Sequence, residues 1–404
     1  MPFPAPSRLQ AFALTLGLLT LAACAPMDSL RKPPRERASV ERDQVGEADS
    51  PATRPRAAAA AGNGRIALLL PLSGRAASAG EAVRTGFLDS FYALPEASRP
   101  SVRVYDVAPS DAPSAYLQAA ADGAQVIVGP LTREEVTALA DTTDGRITTL
   151  ALNFLPDERV TPSNFYQFAL SPEDEARAVA RRVVADGLPT GVTLLPANDW
   201  GRRVRQAFSE ELAALGGVVL DAEAYASGTT DFSEIIPRLM KLRPAGRSGG
   251  KRVYQPRQDA GFVFIGGPPV AARLIRSQLR FNFSGRIPSY SLSDAYEPSG
   301  SDNLDLTGVT FPDMPWVLDT EGPVAARREA SLRSWRTQGQ PGTRLHAFGM
   351  DAFAVVMELR KGGRAFEQPL AGMTGELRLD DTGRVRRTLA FARVQDGKAL
   401  PLLP

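Results

Sequence analysis

From Arg65 onward, the chain alternates between short apolar runs and longer segments in which apolar residues recur at helical spacing. Runs such as RIALLLPL, QVIVGP and GVTLLPA have the length and composition of strands that are buried on both faces. The segments between them place residues such as Val83, Phe87 and Phe91 on one helical face. This alternation predicts an α/β fold with mostly parallel sheets flanked by helices.

The alternating pattern occurs twice. One series runs to about Phe168, and a second starts with FYQFALSPEDEARAVARRVVADGL and continues past GVTLLPA. Two consecutive series of similar size predict two lobes with a cleft between them. Ligands of open α/β sheets bind at the carboxyl ends of the strands, so we expect the strand–helix loops to line this cleft. We also expect DFSEIIPRLMKLR to be helical despite Pro237.

The chain before Arg65 lacks this pattern. Residues 11–23 form an apolar run that is short for a membrane span and is typical of a secretory signal; a buried core helix is the alternative. LAAC at residues 21–24 resembles a bacterial lipobox, which implies removal of residues 1–23, lipid attachment at Cys24 and, with Ala25 next, export to the outer membrane. Residues 24–64 are rich in proline and charge and contain no aromatic residue, which predicts a disordered tether.

The composition excludes several classes of chemistry. With 47 basic and 45 acidic residues, the net charge of +2 does not favour nucleic-acid binding. One histidine, His346, and one cysteine make nucleophilic triads and zinc sites improbable. We expect His346 to be a packing residue and the pair Asp380–Asp381 to form a hairpin turn. We therefore expect no catalytic residues, no metal site and no cofactor.

Several blocks of sequence resemble known families. IALLLPLSGRAASAGEAVRTGF resembles the start of type I periplasmic binding proteins. IVGPLTREEVTALA, RQDAGFVFIGGPPVAARLIRSQLRF and MTGELRLDDTGRVRRTLAFARVQDGKALPL resemble the LppC/LpoA family, outer-membrane lipoproteins that activate penicillin-binding proteins. The resemblance extends from about Arg65 to the end of the chain. It implies a two-lobed type I periplasmic-binding-protein fold, with residues 65–168 and 297–362 in one lobe and residues 169–296 and 363–404 in the other.

Two features depart from the family pattern. Longer members carry a helical repeat domain before the binding-protein-like module, and here the tether stands in its place. Gly261 occupies a position where the family often has an acidic residue.

By resemblance to solute-binding proteins, the first lobe would hold a ligand carboxylate on loops that contain Ser73, Gly74, Thr132 and Asn153. Thr132 also begins the sequence T-x-x-E, which is a helix capping box. We expect Thr132 to be a helix cap more than a ligand hydroxyl. Glu134 and Glu135 would repel a ligand carboxylate, which counts mildly against amino-acid binding.

The second-lobe loops supply further cleft candidates: Asp199, Trp200, Tyr225 and Tyr290. Asp199 and Trp200 could hold an ammonium group by charge and by a cation–π contact, or Asp199 could cap the helix that follows. The two tyrosines could line the cleft or pack at strand ends.

Two segments are candidates for contact with a partner. The basic segment with Arg243, Arg247, Lys251, Arg252 and Arg257 is either a solvated loop or a docking patch for an acidic surface or an anionic glycan. Trp316 lies in DMPWVL and is either an interface residue or a buried plug.

The resemblance implies a non-enzymatic, lipid-anchored regulator that binds and stimulates a class A penicillin-binding protein. A solute-binding lipoprotein for an amino acid or a peptidoglycan fragment is the second hypothesis, and an enzyme is a distant third.

Overall fold

The computed structural model describes residues 64–107, 112–156, 159–248, 251–282, 285–298, 301–335, 342–361 and 368–402. Cys24, the predicted signal peptide and nearly all of the predicted tether lie outside these residues. Among the residues that are described, no helix has both the length and the apolar character that a membrane span requires.

The strands, in chain order, are β1 (Arg65–Leu70), β2 (Ser101–Asp106), β3 (Val126–Val128), β4 (Thr148–Ala151), β5 (Phe165–Phe168), β6 (Thr190–Pro196), β7 (Val218–Tyr225), β8 (Arg243–Ser248), β9 (Lys251–Gln255), β10 (Phe262–Ile265), β11 (Ser289–Tyr290), β12 (Val309–Asp313), β13 (Leu370–Gly372), β14 (Gly375–Leu379), β15 (Arg384–Thr388), β16 (Ala390–Gln395) and β17 (Lys398–Pro401).

The α-helices are α1 (Ala77–Ala93), α2 (Ala112–Ala121), α3 (Arg133–Ala140), α4 (Pro172–Ala185), α5 (Asp199–Ala214), α6 (Ile235–Leu239), α7 (Pro269–Phe281), α8 (Pro315–Leu318), α9 (Gly322–Ser334) and α10 (Arg344–Leu359). Short 3₁₀ helices occur at Glu96–Ser98, Ser293–Ala295 and Ser301–Leu306.

The strands form two large, mostly parallel sheets. The first has the order β13-β14-β15-β5-β4-β3-β1-β2, and the second has the order β17-β16-β12-β11-β10-β6-β7. Strands β1 and β10 are almost wholly buried, because helices cover both faces of a parallel sheet. Each sheet with its helices is one lobe, so the predicted two-lobed α/β architecture is confirmed. The strands β8 and β9 form a separate antiparallel hairpin.

The lobe boundaries differ from the expected ones in the last third of the chain. Strand β12, within residues 297–362, pairs with β11 and belongs to the second sheet. Strands β13–β15, within residues 363–404, extend the first sheet, because β15 pairs with β5. Only the last hairpin, β16–β17, joins the second sheet. The pattern of a hairpin does not specify which sheet edge it joins, and this explains the error.

The segment DFSEIIPRLMKLR is helical only over the five residues of α6. Pro237 lies in the first turn, where its missing N–H costs nothing. The chain becomes extended again at Arg243, where the segment expected to be an irregular basic loop forms β8 and β9.

Close packing of α1 against α10 builds the core of the first lobe. A Cβ at Gly86 would lie 1.9 Å from the His346 carbonyl oxygen, and one at Gly349 would lie 2.1 Å from the Val83 carbonyl oxygen. The two glycines therefore let the helix backbones approach each other. This contact fastens α10, which follows the second-sheet strand β12, to the first lobe.

Candidate functional site

The candidate site is the cleft between the lobes, which has a volume of about 970 Å³. First-lobe residues 131–134 and 152–156 line one wall, and the first turns of α4 and α5 line the other. The N-terminal ends of α3, α4 and α5 all contribute to the cleft. Because helix N-termini attract anions, the cleft suits a carboxylate, and the decisive question is whether the protein supplies that carboxylate itself.

The loop after β1 is already occupied by an internal carboxylate. The backbone N–H groups of Leu72 and Ser73 donate to Asp106 Oδ1 at 2.7 and 3.1 Å. Ser73 and Gly74 are exposed and are not among the residues that line the cleft. Asp106, at the end of β2, therefore takes two of the amide groups that the resemblance assigns to a ligand carboxylate.

Thr132 lines the cleft and is the N-cap of α3. Its Oγ1 accepts from the Glu135 N–H at 3.3 Å, and Glu135 Oε2 accepts from the Thr132 N–H at 3.1 Å. Burial raises the pKa of Glu135, although the hydrogen bonds from Thr132 oppose the shift. The structure thus uses Thr132 as the T-x-x-E capping box requires.

Asn153 also lines the cleft, and both ends of its side-chain amide bond to nearby backbone. Nδ2 donates to the Leu131 carbonyl at 3.1 Å, and Oδ1 accepts from the Phe154 N–H at 2.9 Å. Asn153 therefore holds two neighbouring loops together at the first-lobe wall.

Asp199 and Trp200 line the opposite wall but do not form an ammonium site. Asn198, and not Asp199, caps α5, because its side chain accepts from the Gly201 N–H at 2.9 Å. Asp199 is largely exposed and pairs with Arg202 at 2.8 Å. Trp200 is half-buried and packs against the second-lobe core.

Tyr225 and Tyr290 do not line the cleft, which corrects the expectation that they could. Both are buried in the second lobe. Tyr225 Oη donates to the Gly266 carbonyl at 2.7 Å, and Tyr290 Oη donates to Asp186 Oδ2 at 2.6 Å. Burial raises the pKa of both phenols, so they act as packed hydrogen-bond donors.

Ion pairs cross the cleft from lobe to lobe. Glu173 at the start of α4 pairs with Arg203 of the same lobe at 2.7 Å and with Arg133 of the first lobe at 3.5 Å. Asp174, the next residue, pairs with Arg386 of β15 at 3.2 Å. Burial raises the pKa of Glu173, but the hydrogen bond and charge of Arg203 together with the hydrogen bonds from its own backbone N–H and from Ser171 outweigh burial, so the pKa is lowered. These arginines are therefore already paired with carboxylates of the chain itself, and not with those of a ligand.

Behind the cleft, a buried group of charges joins the lobes, and no motif in the sequence predicts it. Arg344 Nε on α10 donates to Asp313 Oδ1 at the end of β12 at 2.9 Å. Glu175 on α4 accepts from the Ser293 N–H and hydroxyl at 3.0 and 2.9 Å. Arg387, also buried, lies 4.0 Å from Glu175. These contacts fix the lobes relative to each other where the chain crosses between them.

Asp351 on α10 adds a buried carboxyl to this region. It accepts from the Met373 N–H, the Thr374 N–H and the Thr374 hydroxyl at 2.7, 2.7 and 2.6 Å. Burial raises the pKa of Asp351 to about 6, although the hydrogen bonds oppose the shift. The site ties the loop between β13 and β14 to the first-lobe helix.

Trp316 is fully buried, so it is a buried plug and not an exposed interface residue, and the expectation that it could contact a partner is corrected. Its ring stacks on His346 with centroids 5.8 Å apart. His346 is itself fully buried, and its Nε2 lies 3.0 Å from Asp89 Oδ2. The Ser331 hydroxyl donates a hydrogen bond to the same Asp89 carboxylate.

Within the described part of the chain, no group of acidic, histidine or cysteine side chains is arranged to hold a metal ion.

The basic segment lies away from the cleft, on the hairpin β8–β9. Arg243 and Arg247 are exposed on β8, and Lys251 and Arg252 lie on β9, with Arg252 opposite Arg247 in the backbone register. Arg257, just beyond the hairpin, is buried and ion-paired with Asp221 and Asp259.

Comparison with known proteins gives one consistent result. The family profile described as "LppC putative lipoprotein" matches residues 59–397. The penicillin-binding protein activator LpoA of Photobacterium profundum is 30% identical over 345 residues, which cover 81% of this chain and 55% of that protein. The chain therefore spans about half the length of the curated relatives it matches.

Solved structures agree. The C-domain of LpoA (YraM) from Haemophilus influenzae, described as a regulator of PBP1A, superposes with a TM-score of 0.66 at 25% identity, covering 84% of this chain and all of that domain. A leucine-binding protein from Thermotoga maritima shares the fold, with a TM-score of 0.56 at 17% identity over 84% of this chain and 98% of that one. Because the profile match spans most of the chain, this protein belongs to the LppC lipoprotein family.

Proposed function

We propose that this chain is a lipid-anchored regulator at the outer membrane that binds a class A penicillin-binding protein and stimulates its peptidoglycan synthesis, without catalytic residues of its own. Family membership supports this proposal, as do relatives that are named activators of penicillin-binding proteins. Those relatives are about twice as long as the part that matches this chain, and the proposal assigns their activator role to this shorter chain.

The observation that carries the proposal is the state of the cleft. In the cleft, Glu135 bonds the Thr132 N–H at the N-terminus of α3. Outside the cleft lining, Asp106 occupies the amides of the loop after β1 to which the resemblance assigns a ligand carboxylate. Glu173 and Asp174 meet the arginines of the opposite lobe. The carboxylate of a free amino acid would have to displace these internal carboxylates, and the buried Glu135 and the half-buried Glu173 and Asp174 would then lose their hydrogen-bond donors. The geometry therefore favours a regulator over a solute-binding protein.

A solute-binding lipoprotein is the second candidate, because the cleft retains a volume of about 970 Å³. Thermal-shift measurements against the amino acids and soluble muropeptides separate the two proposals. We expect melting temperatures to stay within about 1 °C. An increase of several degrees with one ligand, together with no effect on the synthase, would reverse the order of the candidates.

The lipid anchor is tested separately. In cells fed an alkyne-bearing fatty acid, we expect the wild-type protein to be labelled and to fractionate with the outer membrane. The Cys24→Ser variant should lose the label. Wild-type protein found only in soluble periplasmic extract would contradict the proposed location.

The regulatory role is tested with purified components. The soluble chain from residue 25 onward is mixed with the class A penicillin-binding protein of the same organism, and glycan polymerisation and cross-linking are followed over time. We expect at least one rate to increase with the concentration of the chain. Unchanged rates and no measurable binding would refute the proposal.

A further inference from the structure

Positive charge is concentrated in one segment of the second lobe. Between Glu234 and Asp259 the chain has seven basic residues and no acidic residue. The whole chain carries a net charge of +2, so the chain without these seven residues has a net charge of −5. Three of the seven, Arg238, Lys241 and Arg257, are ion-paired with Glu223, Asp221 and Asp259. The local positive feature is therefore the stretch between Lys241 and Arg257, which contains four basic residues, and such features steer and orient oppositely charged partners.

The segment stands beside a pocket at the amino-terminal edge of the second sheet, opposite the edge that faces the cleft. The pocket has a volume of about 860 Å³ and lies between the base of the hairpin β8–β9, the end of α7 and the loop before β11. Tyr254, Pro256 and Ile287 give it apolar surface, and Arg280 and Arg286 lie at its border. Among the described residues that line it there is no carboxylate.

The described lining of the pocket includes Arg257, Arg280 and Arg286. Arg257 differs from the other two, because it is buried and paired with Asp221 and Asp259. Arg243, Arg280 and Arg286 are exposed. No ion pair to these three arginines occurs within the described ranges of the chain. A positive surface without internal counter-charges is complementary to an acidic partner.

Phe281, next to Arg280 at the end of α7, leaves 81% of its surface exposed. Aromatic residues, including phenylalanine, and arginines are both enriched in protein–protein interfaces. The hairpin adds a second binding feature. Strands β8 and β9 pair only with each other among the described strands, so each has an open edge on which an extended peptide can form backbone hydrogen bonds.

We propose that Arg243, Arg247, Arg280, Phe281 and Arg286, which we call the hairpin face, dock an acidic, extended segment of a partner protein that places an apolar side chain in the adjacent pocket. The inference rests on the proposed function, in which this partner is the synthase. A protein segment fits better than a glycan or a membrane surface, because only a polypeptide uses the open strand edge, the apolar pocket and the arginines together.

The test compares three variants in binding to the immobilised class A penicillin-binding protein at 50 and 300 mM NaCl. The first is Arg243→Gln/Arg247→Gln/Arg280→Gln/Arg286→Gln, and the second is Phe281→Ala. The matched control removes four exposed charges from other surfaces: Arg75→Gln/Arg146→Gln/Arg333→Gln/Arg378→Gln. We expect the first two variants to raise Kd by about tenfold or more at 50 mM NaCl, and the control by less than about twofold. Wild-type affinity should fall with salt more steeply than that of the first variant.

The possible failures are distinguishable. If the wild-type protein binds the synthase and the hairpin-face variants bind equally well, the inference is overturned and the proposed function stands. If the wild-type protein does not bind the synthase, the proposed function fails and the inference fails with it. Sedimentation with vesicles that contain anionic phosphatidylglycerol, and with isolated peptidoglycan, is run in parallel. Loss of binding to either material in the hairpin-face variants, with synthase binding retained, also overturns the inference.

Discussion

The cleft and the hairpin face both carry several charged side chains, but they use them in opposite ways. In the cleft, Glu173 and Asp174 are paired with arginines, and two of these pairs join the lobes. On the hairpin face, Arg243 and Arg280 are exposed and have no carboxylate partner among the described residues. Charged side chains that are paired within the chain hold the two lobes in position, whereas charged side chains without an internal partner can bind another molecule. The comparison places recognition on the surface of the second lobe and leaves the cleft a structural role.

The largest expected effect comes from breaking the buried ion pair between the lobes. Asp313 is 1% exposed, and the Asp313→Ala substitution leaves Arg344 half-buried without its carboxylate. Such a loss costs about 3–5 kcal/mol of the free energy of unfolding. Urea denaturation followed by circular dichroism measures it.

The control for this variant is Glu376→Ala, which removes an exposed pair with Arg378 and should cost less than about 1 kcal/mol. Similar small losses in both variants would show that the pair between the lobes contributes no more than a surface pair.

The buried carboxyl of Asp351 gives a pH-dependent prediction. Its folded-state pKa is raised by burial to about 6, above the usual 3.8. Between these pH values the folded protein holds a proton that the unfolded chain has lost, so stability falls as pH rises. The wild-type protein should lose about 2 kcal/mol relative to Asp351→Asn between pH 4 and pH 7. Denaturation of both proteins at several pH values checks the sign, and a difference that does not vary with pH contradicts it.

A smaller effect is expected in the cleft itself. Glu173→Gln weakens the pairs with Arg203 and Arg133 and should cost about 1 kcal/mol at pH 7. Because the pKa of Glu173 is lowered in the folded protein, this contribution is present above the ordinary pKa of a glutamate and is lost as pH falls through the folded pKa. Thermal melting at pH 7 and in acid checks both parts. A cost that persists in acid would mean that charge is not its cause.

The smallest effect on stability is expected on the hairpin face. Replacing Arg243, Arg247, Arg280 and Arg286 by glutamine should change the free energy of unfolding by less than about 0.5 kcal/mol, because substitutions away from packed features seldom cost more. The urea midpoint measures this. A loss of several kcal/mol would mean that these arginines stabilise the fold, which would count against a docking role for the hairpin face.

The strands and helices were predicted well where the hydrophobic residues recur with a clear periodicity. The apolar runs correspond to β1, β3, β6 and β10, and the T-x-x-E segment forms the capping box that its spacing predicts. The hairpin β8–β9 was missed, although Gly249–Gly250 between its strands is a known hairpin signal. The run of basic residues around it has no alternating pattern, and this obscured the strands.

The contacts that occupy the loop after β1 and that join the lobes could not be predicted from local patterns. Asp106 lies 33 residues from the Ser73 amide that it accepts from, and Arg344 lies 31 residues from Asp313. Such pairs depend on where the loops and strand ends meet in three dimensions, which periodicity does not determine. The burial of Trp316 has the same origin, because its environment comes from α10.

The rate of glycan polymerisation by the class A penicillin-binding protein tests the central claim most directly. It is measured with saturating wild-type chain, with Glu173→Gln and with the quadruple arginine-to-glutamine variant of the hairpin face at equal concentration. The account predicts stimulation by the wild-type chain and by Glu173→Gln, and little or none by the hairpin-face variant. Full stimulation by the hairpin-face variant together with loss of stimulation by Glu173→Gln would contradict it, because the cleft would then be the surface that acts on the synthase.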